Sequence, residues 1–248
     1  MKTFLYYCLI SIASLFLYGC NDVPTTQILI KKTTIPLLAD GQIDQIWDSC
    51  AWEPISHIRF TRQEQRMENP HDLSAAYKSM WDDQYWYFLF KIVDNKKYVL
   101  DAQTDIEKAY DLKINDLDGI DLFFDNFKKL DPEAKFKDLT YLRLTYGSDT
   151  IRVLGKQQIS PEPLSAIQSS YQDLDSGYLY TCKIPWTVLG IKPEIGTKIG
   201  LELNVVDNDG EVVMPDAQAK KKTIVAWADQ TRKNPFLDKS IYGQAILQ

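Results

Sequence analysis

Three of the four aspartates in the stretch "DLDGIDLFFDNF" are the first residues whose types and spacing suggest chemistry. Asp118, Asp121 and Asp125 offer carboxylates of the kind that glycosidases use in pairs. The same stretch predicts a β-strand, because its apolar and aromatic residues form a dense run. On a strand, residues three apart point to opposite faces, which separates Asp118 from Asp121. We therefore assign no catalytic residue and interpret these aspartates as solvated carboxylates of Asp-rich turns.

A second acidic stretch, "DNDG" from Asp207 to Gly210, offers oxygen ligands of the type that calcium prefers. It lacks the longer Asp/Asn series and the distant Glu of an EF-hand loop. Asn-Asp-Gly is also a strong signal for a hairpin turn. We favour the turn and assign no cofactor. A structural calcium ion held by Asp207 and Asp209 is the alternative.

Histidines and cysteines are too few for other metal sites. The chain has two histidines, His57 and His71, and none of its cysteines are spaced as zinc ligands. Cys50 and Cys182 could form a disulfide in an exported protein. Cys182 lies inside a predicted strand among bulky neighbours, which favours two free thiols over a disulfide.

The overall composition is that of an ordinary globular protein with a mildly acidic surface. The 248 residues carry 28 Lys+Arg against 34 Asp+Glu, a net charge of −6, and 12% are aromatic. Such a surface provides no field that would gather phosphates, so nucleic acid is not an expected partner. Core packing explains most aromatic residues, but carbohydrate-binding proteins also use aromatic faces.

The elements that must position these residues are strands. Dense or alternating apolar runs, separated by turn signals, include "WYFLFKIVD", "GIDLFFDNF", "LTYLRLTYG", "GYLYTCKI", "KIGLELNVVD", "KTIVAW" and "YGQAILQ". Helical patterns are short and weak, and strands do not alternate with helices. The sequence therefore predicts an all-β fold: an antiparallel β-sandwich, jelly-roll or immunoglobulin-like, with a few short helices in loops.

The first 20 residues read as a targeting signal. Lys2 is followed by an apolar run that ends in "LYGC", a sequence that resembles a bacterial lipobox. We expect lipidation of Cys20, a tether over residues 21–36 and a domain over residues 37–248. The expected location is the cell envelope, with the protein lipid-anchored to a bacterial membrane and the outer membrane favoured. The apolar run is short for the roughly 20 residues that a membrane span needs.

Five segments, in order, carry a resemblance to a known family. They are "ADGQIDQIWDSC", "SMWDDQYWYFLFKIVD", "DLDGIDLFFDNF", "GYLYTCKIPWTVLG" with "GTKIGLELNVVDNDG", and "VAWAD" with "YGQAIL". Together they resemble the family 9 carbohydrate-binding module and its wider relatives over residues 37–248. The resemblance implies a β-sandwich in which the strand before Pro185 ends at a sheet corner, and "PWTVLG" forms a short turn with Trp186 and Leu189 pointing inward.

The resemblance also implies a ligand-binding site for a mono-, oligo- or polysaccharide. In the family, two aromatic rings clamp the sugar, and polar side chains bind its hydroxyl groups. Carried over to this sequence, the ligand-binding residues are Asp121, Arg143, Asn204, Phe236, Asn234 and, where an aromatic residue is missing just before Asp118, Tyr110 as the nearest candidate.

Each assignment has a plainer alternative. Arg143 could form a surface ion pair with Asp121 or Glu202. Phe236 could be an ordinary loop anchor, and we interpret all of Trp47, Trp81, Trp86, Trp186 and Trp227 as structural.

For the whole protein we expect non-catalytic carbohydrate binding that aids glycan capture or degradation. Two alternatives are a glycan-active hydrolase that uses its acidic residues and a haem-binding relative of the same fold. The second alternative is weakened by the scarcity of axial ligands.

Overall fold

The computed structural model describes residues 26–61, 71–97, 117–125, 140–147, 151–154, 166–209, 212–213, 218–219 and 222–248. Nearly all of this part of the chain is strand and loop, which confirms the predicted all-β class. Among the described residues, no helix is both long enough and apolar enough to cross a membrane.

Fifteen strands are present in the described part of the chain. They are β1 (Gln27–Lys32), β2 (Glu53–Ile55), β3 (His57–Thr61), β4 (Leu73–Trp81), β5 (Tyr85–Asp94), β6 (Gly119–Asp125), β7 (Thr140–Thr145), β8 (Ile151–Leu154), β9 (Gln168–Leu174), β10 (Gly177–Pro185), β11 (Lys198–Asn208), β12 (Val212–Val213), β13 (Gln218–Ala219), β14 (Lys222–Ala226) and β15 (Gly243–Leu247). The helices described are two short 3-10 helices, Gln45–Ser49 and Lys239–Ile241, and one four-residue α-helix, α1 (Trp186–Leu189).

The strands form two layers. In the first sheet the order is β8-β7-β6-β11, and the far edge of β11 pairs with β15 along its first half and with β14 along its second. Strand β3 extends this sheet beyond β14. In the second sheet the order is β9-β10-β5-β4, and the short strand β2 also pairs with β4. The long pairs are antiparallel, as the sequence predicts.

Strand β1 departs from the sequence prediction. Its residues lie inside the segment assigned to a tether, yet β1 pairs in parallel with β15 and then with β4, joining the two sheets. Ile30 is fully buried in the core, whereas Lys31 is exposed. The folded part of the chain therefore begins before residue 37. Because "QILIKK" is short and flanked by polar residues, its apolar alternation is weak evidence for a strand in the sequence alone.

The core lies between the sheets and is rich in aromatic rings. Tyr77 of the second sheet meets Trp227 at the end of the first, with ring centroids 5.8 Å apart. Trp86 contacts Phe124 across the layers at 5.3 Å. Burial of each such side chain contributes about 1.5–3 kcal/mol. All five tryptophans predicted to be structural are buried: Trp47, Trp81, Trp86, Trp186 and Trp227.

The stretch around Pro185 forms a corner at one end of the second sheet. Pro185 is the last residue of β10 and the N-cap of α1, where its missing N–H interrupts no ladder. Gly190 ends the helix with a left-handed φ of 62°. Trp186 and Leu189 point into the core, as the resemblance implies.

Cys50 and Cys182 are free thiols, in agreement with the favoured interpretation. Cys182 is buried on β10, and its burial raises the pKa of its thiol well above the ordinary value.

Candidate functional site

A polar row crosses the outer face of the first sheet. Arg143 on β7 lies opposite Asp121 on β6, and Asp121 lies opposite Asn204 on β11. Alternate residues of a strand point to opposite faces, and the residues next to these three, such as Leu122 and Leu203, face the core. The structure therefore brings together three of the site residues predicted from the sequence. We call Asp121, Arg143 and Asn204 the polar row.

The guanidinium of Arg143 is held on two sides. Its Nη1 donates to Asp121 Oδ1 at 2.6 Å, and its Nη2 donates to the carbonyl of Leu117. Tyr141 also donates its hydroxyl to Asp121 Oδ1, at 2.8 Å. The alternative of an ion pair with Asp121 is thus present, but it is not a surface pair, because Arg143 is 0% exposed. Burial disfavours the charged form, yet the adjacent Asp121 carboxylate raises the pKa of Arg143 above its ordinary value.

Asn204 has polar capacity that the described residues do not use. Its side chain is 0% exposed, and neither its Oδ1 nor its Nδ2 has a hydrogen-bond partner in the described part of the chain. The same holds for Nε of Arg143. A buried donor or acceptor left unsatisfied costs about 1–3 kcal/mol. The polar row therefore contains the Asn204 amide and the Arg143 Nε–H as buried polar groups that the described residues leave unsatisfied.

Aromatic rings lie at one end of the polar row. The ring of Phe236 is half-buried and packs against Phe123 and Tyr141, each with centroids 4.9 Å apart. Tyr141 is the residue whose hydroxyl reaches Asp121, so the rings and the polar row adjoin. Phe236 anchors its loop, which is the plainer alternative given for this residue in the sequence analysis. Part of its ring remains accessible to solvent. We call Phe123, Tyr141 and Phe236 the aromatic end.

The loop that carries Phe236 is shaped by Asn234. Asn234 Oδ1 accepts from the Phe236 N–H at 3.0 Å, and its carbonyl accepts from Leu237 and Asp238, each at 2.9 Å. The structure thus gives Asn234 a role in positioning Phe236. Its predicted contact with a ligand stays a prediction. Tyr110, the other aromatic candidate, lies outside the described residues.

Glu202 is a polar residue of this face that the sequence analysis weighed only as an ion-pair partner of Arg143. It lies two residues before Asn204 on β11 and is 0% exposed. Its Oε1 accepts from the N–H groups of Leu203, Trp227 and Ala228 at 3.0, 3.0 and 3.2 Å. Burial raises the pKa of Glu202 to about 8, despite these donors. The alternation of β11 places Glu202 on the face of Asn204, and this period-2 pattern is the signal that could have identified it.

Arg59 and Asp229 also border this face and had no signal in the sequence. Arg59 Nε donates to the carbonyl of Lys233 at 3.0 Å and lies 3.9 Å from Asp229 Oδ2. Burial lowers the pKa of Arg59 from its ordinary value, and the carboxylates of Asp229, Asp121 and Glu202 counteract that shift. Only tertiary pairing of β3 with β14 brings Arg59 near these groups.

The three aspartates first considered for catalysis have separate surroundings. Asp118 Oδ1 accepts from the Asn208 N–H at 2.7 Å, and Asp121 is bound to Arg143 and Tyr141. Asp125, at the end of β6, lies 3.3 Å from Lys239 Nζ. Contrary to the sequence interpretation, these carboxylates are not solvated, because all three are buried. The sequence pattern could not show this, since packing of neighbouring strands and loops causes the burial.

The "DNDG" stretch is also not the simple hairpin turn expected. Asp207 and Asn208 are still part of β11 and pair with Thr223 and Lys222 of β14. Asp207 is 3% exposed. Its carboxylate joins those of Asp72 and Asp209, and also those of Asp94 and Asp118, in two groups whose oxygens lie within 4.8 Å of one another. Strand pairing, which the turn signal does not reveal, places these residues at the end of the sandwich.

A family model described as "Carbohydrate family 9 binding domain-like" matches residues 39–248. Two curated proteins are similar over 208 residues, or 84% of this chain: endo-1,4-beta-xylanase A of Thermoanaerobacterium saccharolyticum, at 27% identity, and exoglucanase XynX of Acetivibrio thermocellus, at 26%. The match covers only 15% and 16% of those proteins.

Solved structures share the fold. A family 9 carbohydrate-binding module from Caldicellulosiruptor kristjanssonii in complex with cellotriose has a TM-score of 0.65 at 19% identity, covering 90% of this chain and 94% of that one. The glucose complex of a family 9 module from the same organism has a TM-score of 0.63 at 19% identity, over 90% and 96%. A putative carbohydrate-binding protein from Bacteroides uniformis has a TM-score of 0.55 at 7% identity, over 90% and 100%.

Proposed function

Because the chain belongs to the carbohydrate family 9 binding domain-like family, we propose that it binds a carbohydrate through the outer face of the first sheet without cleaving it. The observation that supports this most is the polar row, in which a buried Asp121–Arg143 pair lies beside an Asn204 amide that no described residue engages. Sugar hydroxyls need directional donors and acceptors, and the apolar face of a pyranose stacks on aromatic rings. The polar row and the aromatic end supply both.

The chemical class of ligand is a neutral glycan, with a glucose-based oligosaccharide as the first candidate. Related modules of the same fold were solved with cellotriose and glucose. The charges of the polar row compensate each other, since Arg143 is paired with Asp121. We expect hydroxyl recognition rather than recognition of a sulfate or carboxylate group.

Calorimetric titration of residues 21–248 with cellotriose, xylotriose and glucose tests this function. We expect saturable binding of at least one of these sugars, and a glycan array then ranks further ligands. If neither the titrations nor the array gives binding, the proposal is wrong. Release of chromophore from chromogenic glycosides would overturn the non-catalytic part and favour the hydrolase alternative.

Asn204→Ala is the sharpest variant for locating the site. Arg143 is unsuitable, because its removal would leave a buried Asp121 without its partner, a change that costs about 3–5 kcal/mol. Asn204 makes no side-chain hydrogen bond within the described residues, so its loss should leave the melting temperature unchanged or higher. Loss of its bonds to a sugar should weaken binding about 2- to 10-fold.

The matched control is Gln27→Ala, which removes an exposed amide on β1. We expect this variant to bind like the original protein. Equal affinity for the Asn204→Ala variant and the original protein would place the site elsewhere on the molecule.

We also propose that the module is held at a bacterial cell envelope by a lipid on Cys20, where it would capture glycans for degradation. The support is the "LYGC" ending of the N-terminal apolar run. Expressed in a bacterium that processes lipoproteins, a Cys20→Ala variant should lose its lipid, measured by incorporation of labelled fatty acid. Label that persists in the variant would contradict the assignment, and Cys50→Ala serves as the control that keeps the label.

A further inference from the structure

We propose that a lipid on Cys20 would keep the glycan-binding face close to the membrane, so that the anchored protein captures soluble oligosaccharides near the bilayer and not the surface of insoluble polysaccharide. This arrangement depends on the glycan binding and the lipid anchor proposed above. It follows from the position of β1, because the fold begins closer to Cys20 than a tether over residues 21–36 would allow.

Only five residues separate Cys20 from the point at which the chain is fixed to the fold. The Thr26 carbonyl accepts from the Gln244 N–H at 2.8 Å, and Gln27 pairs with Gln244 on β15. A chain spans at most about 3.6 Å per residue in any conformation, so Thr26 lies within about 22 Å of Cys20. With Cys20 held at the bilayer by its lipid, Thr26 can rise no more than about 22 Å above the bilayer surface.

The domain is too large to turn this point away from the membrane. A compact domain of the length of residues 26–248 has a radius of gyration of about 17 Å, which corresponds to a sphere with a radius of about 22 Å. The centre of such a sphere lies at least about 22 Å above the bilayer surface. Thr26 cannot rise above the level of that centre, so it lies in the half of the domain that faces the membrane.

The aromatic end lies beside Thr26. Gln244, which binds the Thr26 carbonyl, is two residues after Tyr242. The ring of Tyr242 lies 6.2 Å from that of Phe123, centroid to centroid, and its hydroxyl donates to the Pro235 carbonyl at 2.8 Å. Pro235 directly precedes the loop ring of the aromatic end. A short series of contacts therefore connects the start of the fold to the stacking surface.

The polar row is also close to the start of β1. Gln27, Gln244 and Gly200 are paired neighbours across β1, β15 and β11, and Asn204 lies four residues further along β11. Two strand spacings of about 4.8 Å and four residues of about 3.3 Å place the Cα of Asn204 about 16 Å from that of Gln27. A flat polysaccharide surface that approaches from the solvent meets the opposite half of the domain first, whereas an oligosaccharide can enter from the side.

Energy transfer from a dye on the domain to labelled lipids tests the arrangement with the full chain, lipidated and inserted into preformed phosphatidylcholine vesicles. A dye on Leu237→Cys reports on the aromatic end, because Leu237 is 66% exposed. Asp175→Cys is the matched control, since Asp175 is exposed in the turn between β9 and β10, at the far edge of the second sheet from β1. Both variants are made in a Cys50→Ala background, and the remaining Cys182 is buried. We expect clearly more transfer from position 237 than from position 175.

A Gly/Ser linker of about 30 residues, inserted between Thr25 and Thr26, provides the second arm. It adds a root-mean-square span of about 30 Å, so transfer from position 237 should fall toward the value for position 175. Equal transfer from both positions with the native tether would overturn the proposal, and so would transfer from position 237 that the linker leaves unchanged.

Cellotriose and cellulose powder test the class of ligand. The vesicle-bound protein should bind cellotriose as tightly as the soluble residues 21–248 do, but it should carry vesicles onto cellulose only through the long linker. Equal capture of vesicles by cellulose with the native tether and with the linker would overturn the restriction to soluble ligands. If the soluble domain does not adhere to cellulose, energy transfer decides alone. Failure of residues 21–248 to bind any sugar would instead contradict the proposed function, and absence of fatty-acid label would contradict the anchor.

Discussion

Some residues on this face serve the fold and others are available for ligand binding, and Arg143 is an example of the first kind. Its buried charge is paired with Asp121 and bound by the Leu117 carbonyl, so Arg143 belongs to the structural part of the face, although its Nε has no partner in the described residues. Asn204 and the exposed part of Phe236 have contact capacity that the fold does not need. Replacement of these two residues should therefore separate ligand affinity from stability.

The Phe236→Ala variant should bind the glycan about 5- to 150-fold more weakly. The ring offers a stacking surface at the aromatic end, and loss of such a surface costs about 1–3 kcal/mol, with base–aromatic stacking as the analogue. Isothermal titration with a sugar bound by the original protein measures the effect. The control is Leu237→Ala, which removes the neighbouring, 66% exposed side chain. Unchanged affinity in both variants would remove Phe236 from the site.

Glu202→Gln should flatten the pH dependence of stability. The ordinary pKa of this glutamate is 4.5, and burial raises it to about 8 in the folded protein. Between these values the folded state keeps a proton that the unfolded chain releases. This contribution to stability is therefore fully present below pH 4.5 and is lost as the pH rises through about 8.

Urea unfolding from pH 5 to pH 8.5 measures this effect. The free energy of unfolding of the variant, relative to the original protein, should increase with pH by up to about 1.4 kcal/mol per pH unit. Glu194→Gln, which changes an exposed glutamate, is the control without such a trend. Parallel pH profiles for Glu202→Gln and the original protein would show that Glu202 is ionised in the folded state.

At the scale of elements, the corner after β10 shows how a proline and a tryptophan end a strand. Pro185 still pairs with Tyr85, and the chain then turns into α1. Trp186 stacks on Trp86 with centroids 5.4 Å apart, and its Nε1 donates to the Asp82 carbonyl at 2.8 Å. One side chain thus closes the end of the core and fixes the β4–β5 turn.

Trp186→Ala should destabilise the protein by about 3–5 kcal/mol without a direct effect on ligand binding. The reason is the cavity left between Trp81 and Trp86 and the loss of one partly buried hydrogen bond. Chemical denaturation measures the loss. Ile195→Ala is the control. Its side chain is 75% exposed, so its truncation should change the free energy of unfolding little. A loss below about 1 kcal/mol would contradict the structural role of Trp186.

At the scale of the whole molecule, the two sheets are connected by more than core packing. Strand β1 pairs with β15 of the first sheet over Gln27–Ile30 and with β4 of the second sheet over Lys31–Lys32. Trp81 Nε1 donates to the Ile30 carbonyl at 3.0 Å, which fixes the crossing point.

Removal of β1 should therefore damage the whole fold. A chain that starts at residue 33 would expose edges of β15 and β4 and lose the buried Ile30. We expect a melting temperature at least 10 °C below that of a chain that starts at residue 26, since about 2–4 °C are lost per kcal/mol in a domain of this size. Circular dichroism measures the melting temperatures of the two chains. Equal melting temperatures would show that β1 is dispensable, as a tether would be.

Parts of the site were predictable because they depend on local order along strands. Asp121, Arg143 and Asn204 were assigned from their places in motif segments, and strand register then brought them side by side. Arg59 and Asp229 were missed because they reach this face only through the pairing of β3 with β14. Burial of Arg143 was missed for a similar reason, since an alternating strand pattern does not reveal what covers the polar face.

The sequence by itself determined the all-β class, the strands β5, β6, β7, β10, β11, β14 and β15 and the structural role of the tryptophans, because these depend on patterns of apolar residues along the chain, and the family resemblance implied the corner at Pro185. Only the tertiary structure decided that β1 joins the sheets, that Asn204 lies beside the Asp121–Arg143 pair and that five aspartates meet at one end. These features depend on pairing between segments far apart in the chain. A one-dimensional pattern records which side chains are apolar, but it does not record which distant strand each one meets.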